Sequence, residues 1–156
     1  VRNLCFDAPQ NEMEARFSMQ YCMAVALKNG FLSLQDFTPE AIKQPEIRAL
    51  LPLTTMDATP PEAELNPTSE YTHELTVTLK SGEVLKTSRT AAKGTLGDPL
   101  TEDERRRKFD DCCIPILGEP ATANLYSKCN DLRGCTDLHL LLASMLKNDI
   151  EYTNVA

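Results

Sequence analysis

The sequence of 156 residues predicts an α+β domain, a small antiparallel sheet packed with several helices. Three observations carry that expectation. Capped stretches of helical periodicity fill the first and last thirds of the chain. Between them, residues 72–90 alternate apolar and polar side chains around a Ser-Gly turn, the pattern of a hairpin. The resulting order of strand, helices, strands and then three helices keeps the two kinds of element apart. A doubly wound nucleotide fold would alternate them. No internal repeat or low-complexity segment interrupts the order. Residues 1–148 read as one domain and 149–156 as a frayed tail.

Val1–Phe6 reads as a short strand and Asp7–Gln10 as a turn carrying Pro9. Asn11–Gly30 predicts a single helix. Asn11 is suited to cap it, with Glu14 at the capping-box position, and Asn29-Gly30 supplies a left-handed stop. Phe17, Met19, Tyr21, Cys22, Met23, Val25 and Leu27 cover more than one face of that helix. A helix apolar on all sides is expected to be surrounded by protein. Thr38-Pro39 and Pro45 each open a short helix, because proline is tolerated in the first turn. The second helix must stop near Pro52, and Leu53–Ala58 follows as an expected strand.

Thr59–Ser69 is a loop by its content of Pro60, Pro61, Asn66 and Pro67. Thr72–Leu79 alternates, with Leu75, Val77 and Leu79 on one face, as a half-buried strand does. Glu83–Thr90 returns as its partner after Ser81-Gly82. Ala91–Leu100 is a connector. Thr101 and Glu104 form a capping box for the next helix, which Pro115 should end or bend. A further helix starts near Pro120, with Leu125, Cys129 and Leu132 facing inward. The last, Thr136–Lys147, is expected to bury Leu138, Leu141, Leu142 and Met145.

A net charge of −7 disfavours partners that require a basic surface, namely nucleic acid and anionic membrane. The basic run Arg105–Lys108 lies between Glu102–Glu104 and Asp110-Asp111. It reads as a solvated helix face with local ion pairs. No stretch approaches the ~20 apolar residues of a membrane span, and no basic-then-apolar leader opens the chain. A cytoplasmic location is the expectation. The six cysteines, Cys5, Cys22, Cys112, Cys113, Cys129 and Cys135, are expected to be free thiols. A chain of this length builds a core without staples, and no CxxC pair occurs. Vicinal Cys112 and Cys113 diverge by ~100° on a helix. Beginning at Val1 in what reads as the middle of a strand, the sequence is expected to be a piece of a longer protein.

Catalytic candidates are few. His73 neighbours Glu74, but adjacent strand residues point to opposite faces, so the carboxylate cannot orient the imidazole. His139 reads as a helix-surface residue. Lys93-Gly94-Thr95 lacks the glycine spacing of a phosphate loop. No cysteine has an evident partner base. Asp110-Asp111 lacks the spacing of a calcium loop. Ser18 and Tyr21 could meet a ligand on the long helix, although burial in the core is the preferred reading.

Four segments in order resemble one family. EARFSMQYCMAVALKNGFLSLQDF (Glu14–Phe37), PEIRALLPLTTM (Pro45–Met56), THELTVTLKSGEVL (Thr72–Leu85) and KGTLGDPLTEDERRRKF (Lys93–Phe109) are similar to the C-terminal domain of the MmgE/PrpD family. That family includes 2-methylcitrate dehydratases, cis-aconitate decarboxylases and epimerases. The resemblance implies the α+β lid domain of a two-domain enzyme. The parent would act on a small di- or tricarboxylate by proton abstraction next to a carboxylate. It implies no metal or organic cofactor, a missing N-terminal helical domain as partner, and a homodimer of the parent. The principal acid and base groups would lie on the helical domain. The lid's own Lys/His motif, of the K-x-[YF]-P type, is absent here, so no catalytic residue is expected in this chain. In the family's decarboxylases a tyrosine ahead of E-A-R approaches the active site. The ungapped register places Asn3 there, as a substrate-proximal position. Asparagine instead of tyrosine points away from decarboxylation and leaves dehydration, epimerisation or another activity open. The alternative is a non-catalytic interaction domain that docks through its apolar helix 11–29.

Overall fold

The computed structural model describes residues 4–57 and 72–146. It is an α+β structure: among the described residues, seven α-helices accompany a two-stranded antiparallel sheet. The chain divides into two compact units between Ala92 and Lys93.

In the first unit, Asn11 caps α1 (Glu12–Arg16). Its Oδ1 accepts from the Glu14 N–H at 3.0 Å, and the Glu14 carboxylate accepts from the Gln10 N–H at 2.8 Å. The cap is as expected, but the single helix is not. The chain breaks at Phe17, and Ser18 takes an extended conformation and caps a second helix, α2 (Met19–Asn29). The Ser18 Oγ accepts from the Tyr21 N–H at 3.1 Å. A serine can satisfy a free amide of the first turn as well as sit mid-helix, and here the cap prevails. Gly30, at φ +79°, stops α2. Nor is the segment apolar on all sides in its setting. Tyr21, Ala24 and Val25 are buried, whereas Leu27 is 52% exposed and Phe17 lies at the surface.

A 3₁₀ turn, Leu34–Phe37, follows with a Ser33/Asp36 capping box. Thr38 caps α3 (Pro39–Ile42), and Pro45 opens α4 (Pro45–Arg48). The core joins Ala15, Tyr21, Ala24, Val25, Ile42, Ile47 and Leu51, with Phe37 and Leu50 at its margin. The expected strand Leu53–Ala58 does not form over its described part. Leu51–Leu53 is a 3₁₀ turn, and residues 54–57 enter no ladder. The Thr54 hydroxyl instead donates to the Leu50 carbonyl at 3.2 Å, a local bond that competes with strand pairing. The described end of the expected first strand, residues 4–6, is likewise outside any ladder. The loop at 59–69 and the tail at 149–156 lie outside the described residues.

The hairpin pairs β1 (His73–Thr78) with β2 (Val84–Arg89), from His73 opposite Arg89 to Thr78 opposite Val84. Gly82, at φ +88°, donates its N–H to the Leu79 carbonyl at 2.9 Å and turns the chain. Leu75, Thr87, Val77 and Leu85 share one face. The expected half-burial of that face is not met, because Leu75, Leu79 and Leu85 remain exposed.

The second unit begins with a connector. Its Lys93 ammonium meets Asp98 at 3.0 Å and Glu104 at 3.3 Å. Thr101 and Glu104 cap α5 (Glu102–Leu117) reciprocally, as the sequence predicts. Pro115 does not end the helix. The helix runs on to Leu117 without a Pro115 N–H to close its turn, and the Gly118 N–H caps it on the Ile114 carbonyl at 2.9 Å. Against α5 packs α6 (Glu119–Asn130), with Phe109 edge-on to Tyr126 at 5.1 Å. Leu125 is buried and Cys129 half-buried, but Leu132 has passed into a 3₁₀ turn and is exposed. The last helix, α7 (Leu138–Ala143), is shorter than expected. Asp137 caps it, which fixes its start one residue beyond that aspartate. Of its expected stripe only Leu141 is buried, while Leu138, Leu142 and Met145 are exposed.

Candidate functional site

A cleft of about 580 Å³ lies in the first unit. Among the described residues it is lined by Leu51, Pro52 and Met56 and by the polar groups of Asp7, Gln20, Arg48, Thr54 and Thr55. Each is placed by a local device. Gln20 stands in the first turn of α2, directly after the Ser18 cap, on the face that also buries Tyr21 and Ala24. Arg48 ends α4, one residue after the buried Ile47. Asp7 belongs to the turn before α1, which is tied down three ways. The Phe6 N–H donates to the Phe17 carbonyl at 3.4 Å, Gln20 Nε2 donates to the Asp7 carboxylate at 2.9 Å, and Arg48 Nη1 donates to the Pro9 carbonyl at 2.9 Å. Pro9 itself is fully buried.

Among the described residues the electrostatics of the cleft are mixed, with one guanidinium, one carboxylate, a buried amide and two hydroxyls. Gln20 is 6% exposed, and its Oε1 has no hydrogen-bond partner. No imidazole or thiol lines the cleft. The arrangement can hold a small polar molecule, and it contains no evident nucleophile–base pair.

A second groove, of about 510 Å³, runs along one face of α5 past Asp103, Arg106, Arg107 and Asp110 to Pro115. Of its two guanidinium groups, that of Arg106 has its partners in place. Arg106 Nε donates to both Asp110 oxygens at 2.8 Å, and the guanidinium lies 4.5 Å from the Tyr126 ring centroid. The Tyr126 hydroxyl donates to Glu102 at 2.6 Å. That bond, followed by the Arg105 charge, holds the Glu102 carboxyl below its usual range.

The residues singled out in the sequence fall elsewhere. Asn3 lies outside the described residues. His73 is exposed on β1 and His139 is exposed on α7. His73 and Glu74 point to opposite faces, as alternation requires. Lys93 is held by two carboxylates beside Gly94, whose N–H donates to the Asp98 carbonyl at 2.7 Å. Ser18 and Tyr21 are both core residues. The Tyr21 hydroxyl donates to the Asp36 carbonyl, and burial, then the nearby Asp36 and Cys22, pushes its pKa up to about 12. All six thiols are free. Burial raises Cys22, whose Sγ lies 3.9 Å from the Ala15 carbonyl. Among the described residues no group of three His, Cys, Asp or Glu side chains is placed to hold a metal ion. No helix among them is long and apolar enough to cross a membrane.

Sequence reasoning missed Gln20, Arg48 and Asp7. Two of the three carried a signal. Gln20 is a polar side chain on the apolar face of Tyr21, Ala24 and Val25, and Arg48 sits inside the apolar run Ile47–Leu51.

Fold and cleft together define an α+β domain with a polar cleft in its first unit and no imidazole or thiol on that cleft. The chain belongs to the MmgE/PrpD family: the family model described as the MmgE/PrpD C-terminal domain matches residues 2–132. Cis-aconitate decarboxylase of Mus musculus is 30% identical over 139 residues, covering 86% of this chain and 28% of that protein. Cis-aconitate decarboxylase of Homo sapiens is 27% identical over 138 residues, again 86% and 28%. The chain thus spans less than a third of the length of the curated relatives it matches.

Proposed function

We propose that this chain is the lid domain of an MmgE/PrpD-type lyase or isomerase. The whole enzyme removes a proton next to a carboxylate of a small di- or tricarboxylic acid. It then expels water or carbon dioxide, or returns the proton. The observation that carries the reading is the family match over residues 2–132. The chemistry is supported by two relatives named cis-aconitate decarboxylase. The partner in this reading is a helical domain supplied by the rest of the polypeptide, with the parent a homodimer. Six free thiols suit a reducing compartment such as the cytoplasm. Closing a lid excludes water and strengthens every charge interaction with a polycarboxylate.

The described residues support a division of labour. The cleft offers binding groups, and among the described residues that line it there is no imidazole, thiol or lysine. Docking another protein through helix 11–29 has less to rest on, since the buried side of α2 is occupied by its own unit's core. The test is a turnover assay with cis-aconitate and 2-methylcitrate on two preparations, the chain alone and the longer protein containing it. The expected result is turnover by the longer protein only. Turnover by the chain alone would overturn the reading.

A further inference from the structure

Among the described residues the cleft of the first unit carries one charge of each sign, and neither is spent on the other. The Asp7 carboxylate accepts from the neutral amide of Gln20 at 2.9 Å, and Arg48 donates to the neutral carbonyl of Pro9 at 2.9 Å. Neither side chain enters an ion pair among the described residues. A carboxylate has about four acceptor sites and a guanidinium five N–H donors, so each keeps capacity for a ligand. Asp7 is exposed and Arg48 half-buried. The carbonyl that anchors Arg48 lies two residues beyond Asp7, a reach of at most about 7 Å. An α-amino acid hydrogen-bonded at both of its charged ends spans about 8 Å, the same scale. A lone anion would meet Arg48 and be repelled by Asp7, and a lone cation would suffer the reverse. An uncharged apolar molecule would leave both without a counter-charge. Beside the two charges, Leu51, Pro52 and Met56 give the cleft an apolar side. Its volume of about 580 Å³ falls within the ~300–1,000 Å³ usual for small-molecule sites.

We propose that this cleft binds a zwitterionic amino acid with an apolar side chain. Arg48 holds its carboxylate, Asp7 accepts from its ammonium, and Leu51, Pro52 and Met56 pack its side chain. The inference does not rest on the functional reading above, since an amino acid is not the acid that reading has the enzyme transform. Its test is calorimetric titration of the full chain with L-leucine and with three molecules that each lack one part of it. 4-Methylpentanoate lacks the ammonium, isoamylamine the carboxylate and glycine the side chain. L-Leucine is expected to bind saturably. Each of the other three should bind at least roughly tenfold more weakly, the ratio that one charged hydrogen bond or one buried apolar side chain sustains.

Asp7→Asn keeps an acceptor for Gln20 and removes the charge. It should weaken L-leucine roughly tenfold without lowering the weak binding of 4-methylpentanoate, which has no ammonium to lose. Arg48→Lys keeps the charge and loses the fork. It should weaken L-leucine and 4-methylpentanoate alike and leave isoamylamine as it was. A merely structural role for either residue would weaken every ligand together. Far-UV circular dichroism checks the fold of both variants, and the ligand series on the unaltered chain decides the matter without them. Absence of saturable L-leucine binding would overturn the proposal. So would binding of 4-methylpentanoate or isoamylamine as tight as that of L-leucine, or L-leucine binding indifferent to Asp7→Asn in a folded variant. Turnover of a carboxylic acid by the longer protein bears on the functional reading alone, so the two can fail separately.

Discussion

Tyr21 shows how much a single buried side chain organises in the first unit. Its ring joins the core and lies 6.0 Å from the Phe37 ring, its N–H takes the Ser18 cap, and its hydroxyl reaches the Asp36 carbonyl. Burial favours the neutral phenol, so its folded pKa of about 12 exceeds the ordinary value of 10. Its contribution to stability is therefore complete below pH 10 and is lost as pH rises through about 12. An alkaline unfolding series should show that loss, and Tyr21→Phe should remove the dependence. The same variant should cost about 1 kcal/mol at neutral pH in urea unfolding, the usual net value of such a bond. The thiols give a second residue-scale prediction. Cys5 and Cys112 are exposed, while Cys22 is half-buried and its thiol is pushed up by burial. Because the thiolate is the nucleophile, mass spectrometry of partial alkylation should find Cys5 and Cys112 modified before Cys22. Early modification of Cys22 would contradict its packing.

Caps decide where several of these elements begin. Ser18 turns one expected helix into α1 and α2, and Ser18→Ala should destabilise the first unit by about 1 kcal/mol, with loss of helical signal. Thr101→Ala should do the same to the second unit by removing one half of the Thr101/Glu104 box. Glu104 carries the pH dependence of that box. The Thr101 N–H, more than any other neighbour, holds its carboxyl below the ordinary 4.5. Its contribution is present above 4.5 and disappears as pH falls through the depressed folded value. An acid titration of α5 helicity should show that loss, and Thr101→Ala should shift it upward. The caps at Asn11, Thr38 and Thr101, the prolines at 39 and 45, and the hairpin were legible in the sequence, because each depends on residues close along the chain. The Ser18 break was not legible, since serine serves both inside a helix and at its start. The burial of the hairpin face and of the α7 stripe was over-read. Periodicity reports which face is apolar and says nothing about whether anything covers it.

At the scale of the whole molecule, the α+β class followed from segregated elements, and the family followed from four motifs in order. The cleft did not follow from either. It is assembled from a turn at residue 7, helix positions 20 and 48, and residues 51–56, and no local pattern reports such a meeting. The bonds from Gln20 to Asp7 and from Arg48 to Pro9 span 13 and 39 residues. Arg48 and Gln20 stood out only as polar residues in apolar surroundings. In the proposed function this chain is a lid over a bound carboxylic acid, and the proton-abstracting groups lie on the rest of the enzyme. Proton NMR in heavy water tests it most directly, by following deuterium entry at the carbon next to a carboxylate of added 2-methylcitrate or cis-aconitate and in the products formed. Deuterium should enter with the longer protein present and should not enter with the 156-residue chain alone. Exchange catalysed by the isolated chain would contradict the claim.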